Sequence, residues 1–398
     1  MLSNLFSPWP SYTQEEVDSI ERVILSNRVN YWTGKECRLF EKEFAEFSDS
    51  DYAVALSNGS VALELALIAL DIGIGDEVIV TSRTFIASVS SIVNVGATPI
   101  FADVSLDSQN ISPETIRPLI TKRTRAIICV HLAGWPCEMD EIMTIANERK
   151  LFVIEDCAQA HGAKYKGKSV GSIGHIGCWS FCQDKIMTTG GEGGMVTTND
   201  KSLWEKMWAY KDHGKSYVSV YQKEHPEGFR WLHDSFGTNG RMTEMQAAIG
   251  RVQLTRMDTW QSKRLSNANA IWEVAKKLKG LRVPSLSCDN CLGSCEFEKA
   301  CSHAAYKCYV FVEGSESDRN AIMASIKAKG VPCFTGSCSE VYLEKAFENT
   351  RFRPKRRLPN AKRLGETSLM FLCHPTLTDA EIKKTCDVLT SVITDYFD

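Results

Sequence analysis

The sequence predicts an α/β protein: a mostly parallel, doubly wound sheet of seven strands with helices on both faces, followed by a smaller C-terminal α+β domain. Two observations carry that prediction. Between residues 52 and 199 the chain alternates short apolar runs (YAVAL, EVIVTS, TPIFADV, RAIICVHL, LFVIED, GCWSF and GMVTT) with helical segments, the order that produces βαβ units and a sheet buried on both faces. Beyond residue 280 the composition shifts to loops, short strands such as YKCYVFVE and closing helices. With 398 residues, 43% of them hydrophobic, the chain can bury a substantial core, and its length suggests two to three domains.

Taken in order, residues 1–11 are Pro-rich and read as an extended arm. TQEEVDSIERVILSN follows with a threonine cap, early acids and helical apolar spacing. The loop VNYWTGKE carries Tyr31 and Trp32, an aromatic pair that serves packing as readily as a substrate mouth. YAVALSNGSVALELALIAL reads as a strand, the turn Ser57-Asn58-Gly59-Ser60, and a helix opening near Val61 whose free amides suit a phosphate. The strand at 151–154 delivers Glu155 and Asp156 at its carboxyl end, the side of such sheets where ligands collect.

Residues 177–199, GCWSFCQDKIMTTGGEGGMVTTN, hold Lys185 between an apolar run and a glycine-rich turn. Trp179, Phe181, Ile186 and Met187 are expected to desolvate its ammonium and push it towards a nucleophilic amine. A lysine beside Asp184 at a strand end is equally an ordinary surface residue. TTGGEGG lacks the ending of a P-loop and reads as a tight turn. SLWEKMWAYKDHG is a helix with a glycine stop, and VSVYQKEHPEGFRWLHDSFGTNGRM a long irregular stretch of the kind that is functional or disordered. The segment from TEMQAAIG to WEVAKKL reads as a hinge helix between the larger and smaller domains.

A net charge of −3 from 46 basic and 49 acidic residues offers no electrostatic basis for nucleic acid or an anionic membrane as the main partner. The N-terminus has neither a basic n-region nor an apolar h-region, and no run approaches the roughly 18 apolar residues of a spanning helix. The expectation is a cytoplasmic protein. Fifteen cysteines, an odd number without a secretory signal, read as free thiols. Cys288, Cys291, Cys295 and Cys301 lie in SCDNCLGSCEFEKAC, but their spacing is irregular and no second CxxC closes a zinc site; no metal is expected.

In order and spacing, SNGS, TSRTFIAS, EDCAQAHGA, SFCQDKIMTTGGEGG, GTNGRMTEMQAAIG and LCHPTLT resemble the fold-type I, pyridoxal phosphate-dependent sugar aminotransferases of the DegT/DnrJ/EryC1/StrS family, over almost the whole chain. The resemblance implies an arm over residues 1–15, a large PLP-binding domain over 16–260 and a small C-terminal domain over 261–398, with the last strand of the large sheet antiparallel. It implies pyridoxal 5′-phosphate as cofactor, with Lys185 as Schiff base and proton shuttle and Asp156 beside the pyridine nitrogen. Phe85 would stack on the ring, Gln159 would donate to its hydroxyl oxygen, and Gly59, Ser60 and Ser180 would hold the phosphate. Asn239 and Arg241 would reach the cofactor or substrate of the neighbouring subunit in a homodimer with shared sites.

Each residue has a plainer reading: Phe85 as core, Gln159 as a helix cap, Ser180 as a solvent-facing strand serine, Asn239 and Arg241 as a turn and an exposed cation. Gly240 stands where the family often has an aromatic residue. His213 and His374 remain outside the set. The implied reaction moves an amino group from L-glutamate to a ketone carbon of a nucleotide-linked hexose, a 4-keto-6-deoxy sugar first, for an amino-deoxy sugar of a surface polysaccharide or glycoconjugate. A 3-keto acceptor, a dehydratase or aminohydroxybenzoate-forming enzyme of the same fold, and a regulatory or binding protein without turnover stay open.

Overall fold

The computed structural model describes residues 6–284 and 300–397. Its strands are β1 Tyr52–Leu56, β2 Glu77–Thr81, β3 Thr98–Ala102, β4 Thr124–Val130, β5 Phe152–Asp156, β6 Lys164–Tyr165, β7 Lys168–Ser169, β8 Ile176–Ser180, β9 Gly194–Thr198, β10 Leu281–Arg282, β11 Cys308–Val312, β12 Cys333–Phe334 and β13 Ser368–Phe371. Seven of them form one sheet in the order β1-β9-β8-β5-β4-β2-β3. All seven apolar runs are therefore neighbours in one sheet. The pairs β2/β3, β2/β4, β4/β5 and β5/β8 are parallel, and β9 alone runs antiparallel, against both β1 and β8.

Period-two alternation divides each strand between two cores. Val78, Val80, Ala126 and Ile128 face one apolar cluster, with the helices Gly59–Ala69, Ala87–Asn94 and Lys201–Tyr210. Ile79, Ile127 and Cys129 face the other, with the helix Met139–Arg149. A smaller antiparallel sheet, β10-β11-β13-β12, packs with the helices Met257–Ala275, Glu316–Ala328 and Asp379–Phe397 around a third cluster that includes Ile271, Val310, Ile322 and Leu389.

Local signals hold where side chains can cap. Thr13 caps the helix Gln14–Leu25 and forms a capping box with Glu16. The helix after the SNGS turn opens at Gly59 rather than near Val61, because Asn58 is its N-cap and accepts the Val61 amide at 2.9 Å. The long helical segment is two helices, Glu244–Leu254 and Met257–Ala275, instead of one. At the break the Thr255 hydroxyl bonds the Val252 carbonyl at 2.8 Å and Arg256 is held by Glu15 and Glu16 of the first helix, so local capping and an ion pair override helix propensity.

The described cysteines other than Cys301 are free thiols. Cys288, Cys291 and Cys295 lie outside the described residues, and Cys301 is half-buried, its sulfur receiving the Lys166 amide at 3.3 Å. Among the described residues no helix is long and apolar enough to cross a membrane.

Candidate active site

The parallel strands bring their carboxyl ends to one edge, the side on which ligands collect in such sheets; Asp156 and Ser180 are the last residues of β5 and β8 there. From β1 the chain turns through Asn58 into a helix whose Val61 amide is capped by Asn58, which leaves the amides of Gly59 and Ser60 at its N-terminus as donors. Gly59 lies so close to the end of β8 that a Cβ there would meet the Ser180 Cβ at 2.7 Å. A Cβ on Gly194, the first residue of β9, would meet the Asn58 carbonyl oxygen at 2.3 Å. The Gly59 and Ser60 amides, the exposed Ser60 and the Ser180 hydroxyl thus stand close together as a cradle of donors, chemistry that suits a phosphate.

Asp156 ends β5 beside β8 and is only 5% exposed. Its Oδ2 accepts the Ser88 hydroxyl at 2.7 Å and its Oδ1 the Ala158 amide at 3.1 Å. Ser88 is in turn 2.8 Å from the Thr84 hydroxyl. Gln159 spends its carbonyl oxygen on the Ala133 amide at 2.8 Å, which orients its Nε2 group, the donor a ring hydroxyl oxygen needs. Phe85 is 67% exposed, so it is no core residue; a ring left bare at the head of the helix Ala87–Asn94 is available to stack on a flat ligand.

Glu155, the neighbour of Asp156, points to the other side of the sheet and is structural. Burial pushes its carboxyl up, but His131 and the amides of Gly171 and Gly174 outweigh that and hold it below the usual carboxylate range. His131 Nδ1 receives the Cys137 amide at 3.0 Å, so its Nε2–H donates to Glu155 at 2.9 Å. Cys157 lies close enough to both to suggest a metal triad, yet hydrogen bonds already occupy both ring nitrogens and the carboxylate.

Lys185 sits in the turn between β8 and β9 and is half-buried. Trp179, Phe181, Ile186 and Met187 are buried in the core with Phe40 and Phe44, while Lys185 itself stays half-buried. Its aromatic neighbour is Tyr306, with Nζ 5.4 Å from the ring centroid. The Tyr306 hydroxyl donates to Asp184 at 2.5 Å; burial, then Asp184, raises that phenol far above its usual range. Burial pushes the Asp184 carboxyl up, but the Tyr306 bond and the charges of Lys185 and Lys307 bring it below the ordinary value. His161, wholly buried against Trp179 and Phe181, is pushed down to about 3, first by burial and then by the charges of Lys185 and Arg264. It is a neutral ring behind the lysine.

Asn239 and Arg241 lie on the other flank of the phosphate cradle. The Ser57 amide donates to the Gly240 carbonyl at 2.9 Å, and Arg241 pairs with Leu56 at the end of β1. Gly240 is buried, and a Cβ there would meet Val61 Cγ1 at 3.3 Å; this close approach to the cradle helix accounts for glycine in place of an aromatic residue. Arg241 is not a free cation, since its guanidinium donates to the buried Asp212 at 2.7 Å. Asn239 is exposed. Tyr31 is buried and bonded to Glu41 and Trp208, so the packing reading of that loop holds for it.

Trp9, Ser88, His161, Asp212, Arg264 and Tyr306 also stand at or behind the site, and the motifs do not single them out. His161 and Ser88 carry a usable signal, since they fall inside EDCAQAHGA and TSRTFIAS.

Comparison with known proteins agrees with this geometry. The profile of the DegT/DnrJ/EryC1/StrS aminotransferase family matches residues 10–390. The chain is 44% identical over 277 residues to GDP-perosamine synthase of Escherichia coli O157:H7, covering 68% of this chain and 73% of that protein. It is 32% identical over 371 residues to dTDP-3-amino-3,4,6-trideoxy-alpha-D-glucose transaminase of Streptomyces venezuelae, covering 93% and 90%. Among solved structures, an aminotransferase from Psychrobacter cryohalolentis superposes with a TM-score of 0.94 at 61% identity, over 99% of this chain and 100% of that one. The chain belongs to the DegT/DnrJ/EryC1/StrS aminotransferase family, and it is a pyridoxal 5′-phosphate-dependent aminotransferase.

Proposed function

We propose that the protein moves an amino group from L-glutamate to a ketone carbon of a nucleotide-linked hexose, with a 4-keto-6-deoxyhexose as the leading acceptor. The observation that carries this reading is the meeting, at one sheet edge, of the Asp156 carboxylate, the Gly59/Ser180 cradle and the Lys185 turn. When bound, pyridoxal phosphate supplies an electron sink for a carbanion at the substrate carbon. The chain's own residues do the rest. Asp156, fixed by Ser88, holds a proton on a ring nitrogen; Phe85 covers a ring face; Gln159 Nε2 donates to a ring hydroxyl oxygen; Gly59, Ser60 and Ser180 take the phosphate. Lys185 Nζ anchors the cofactor and, once free, carries the proton to and from the substrate carbon.

The same reading makes the active form a cytoplasmic homodimer in which Asn239 and Arg241 serve the neighbouring pocket, with no nucleic-acid or membrane partner. It divides the chain into an arm (1–15), a large domain (16–260) and a small domain (261–398). Relatives named for perosamine on GDP and for a 3-amino sugar on dTDP support a sugar nucleotide and leave the reacting carbon as the point to test. Incubation with L-glutamate should yield 2-oxoglutarate and bleach the visible band, and the aminated protein should then react with a 4-keto sugar nucleotide faster than with a 3-keto one. The reverse preference would move the reaction to the other carbon.

A further inference from the structure

The segment before the first helix is pinned at several points. The Ser7 amide and hydroxyl both donate to Glu381, the Pro8 carbonyl accepts the Thr376 hydroxyl at 2.7 Å, and the Thr13 hydroxyl accepts Arg256 at 2.7 Å. Between these pins Trp9 reaches inward. Its ring meets Trp260 edge-on at 5.0 Å and stacks near His374 at 6.0 Å. The Arg264 guanidinium lies 4.7 Å from the indole centroid. Arg264 is buried with Nε and Nη2 lacking hydrogen-bond partners among the described residues, so the electron-rich indole face is the surface that offsets its charge.

From this socket the indole Nε1–H donates to the backbone carbonyl of Lys185 at 2.8 Å. The Lys185 amide donates to the Cys182 carbonyl at 3.1 Å. Both backbone polar groups of the lysine are therefore held, one by its own turn and one by the N-terminal arm, and these bonds fix the direction in which its side chain leaves the turn.

We propose that Trp9 is a positioning residue for Lys185, the arm acting as a strap that sets the lysine's backbone. The proposal rests on Lys185 being the lysine that carries the cofactor. A strap of this kind acts on formation of the lysine–cofactor bond, in which Nζ adds to the aldehyde carbon and water leaves. It leaves the noncovalent seat of ring and phosphate untouched, because the partners of Trp9 are the Lys185 carbonyl, Trp260, Arg264 and His374.

The test uses the full-length apoenzyme and added pyridoxal 5′-phosphate. Trp9→Phe keeps an aromatic ring in the socket and deletes the N–H. The rate at which borohydride-reducible bond forms should fall about fivefold, the change that one neutral hydrogen bond corresponds to. Affinity for the cofactor measured in a Lys185→Ala background should be the same whether or not Trp9→Phe is added. Unchanged bond formation in Trp9→Phe overturns the proposal, as does an equal loss of affinity in the Lys185→Ala background, which would make Trp9 part of the pocket wall. If Trp9→Phe does not fold, Thr376→Ala, which releases the Pro8 carbonyl, is measured in the same way and decides by the same criteria. Mapping the reduced wild-type adduct separates the two levels: a tag on a residue other than Lys185 overturns the site assignment and the strap together, whereas a tag on Lys185 with no effect in the variants overturns the strap alone.

Discussion

The Ser88 hydroxyl donates to Asp156 Oδ2 at 2.7 Å, and both residues are nearly sealed from solvent. Hydrogen bonds to a carboxylate are worth about 1.5–3 kcal/mol, enough to fix the aim of Asp156. Ser88→Ala should cost about tenfold in turnover with little change in melting temperature, and Ser88→Thr should recover part of it. Asp156→Asn removes the charge itself and should cost about a hundredfold or more, since a close ion pair shifts a pKa by roughly one to three units. Steady-state kinetics with cofactor occupancy measured in parallel check both; occupancy should fall much less than activity, and equal losses would make Asp156 a folding residue.

In the proposed site Gly59 would give the phosphate its room. A methyl group there collides with Ser180, so Gly59→Ala should weaken binding of pyridoxal 5′-phosphate by about tenfold or more, in line with the usual 1–3 kcal/mol of overpacking. Binding of pyridoxal, which lacks the phosphate, should change far less. Equilibrium dialysis of both compounds distinguishes the cases.

The shared-site reading predicts complementation between inactive subunits. Arg241 is a poor second parent, because its loss would leave the buried Asp212, whose Oδ2 already has no partner among the described residues, with the longer 3.4 Å contact to Lys215 in place of its 2.7 Å ion pair. Asn239→Ala is the better choice, being exposed. Mixed with Lys185→Ala under conditions of exchange, it should restore up to about a quarter of the sites, since random pairing makes half the dimers mixed and each has one intact pocket. No recovery from exchanging, inactive parents would contradict a shared site.

Acid should destabilise the fold through its buried histidines. Burial pushes His161, His303 and His374 from 6.5 down to about 3. Between those values the unfolded chain binds protons that the folded chain refuses, so stability falls as pH drops below 6.5, by up to about 1.4 kcal/mol per pH unit for each histidine. The lowered Glu155 carboxyl adds a further loss below its ordinary value of 4.5. His161→Phe, which suits the aromatic surroundings of that site, should reduce the slope of denaturation free energy between pH 6.5 and 5 by about one proton. An unchanged slope would show that His161 is protonated in the folded state.

What can be read from the sequence is what short-range chemistry decides. Runs such as EVIVT and LFVIED are strands because both faces are apolar, and a carboxylate at the tip of such a run lands in the crevice regardless of the rest of the chain. Trp9 and Lys185 are 176 positions apart, and Tyr306 reaches Asp184 across 122; no local period encodes those meetings. Trp179, Phe181, Ile186 and Met187 pack into the core while Lys185 between them stays half-buried, a division that the run of apolar letters does not reveal. The break at Thr255 and Arg256 depends on Glu15 and Glu16 at the far end of the chain.

The central claim is that Lys185 is the reacting amine, and the most direct measurement is the response of visible absorbance and 2-oxoglutarate release to L-glutamate in wild type and Lys185→Ala, each loaded with pyridoxal 5′-phosphate. Wild type should show a band that glutamate abolishes. Lys185→Ala should bind the cofactor without covalent attachment and transaminate slower by several orders of magnitude, as expected when anchor and proton carrier are lost together. A Lys185→Ala protein that keeps even about a tenth of wild-type transamination would contradict the account, because a residue doing both jobs cannot be spared at that level.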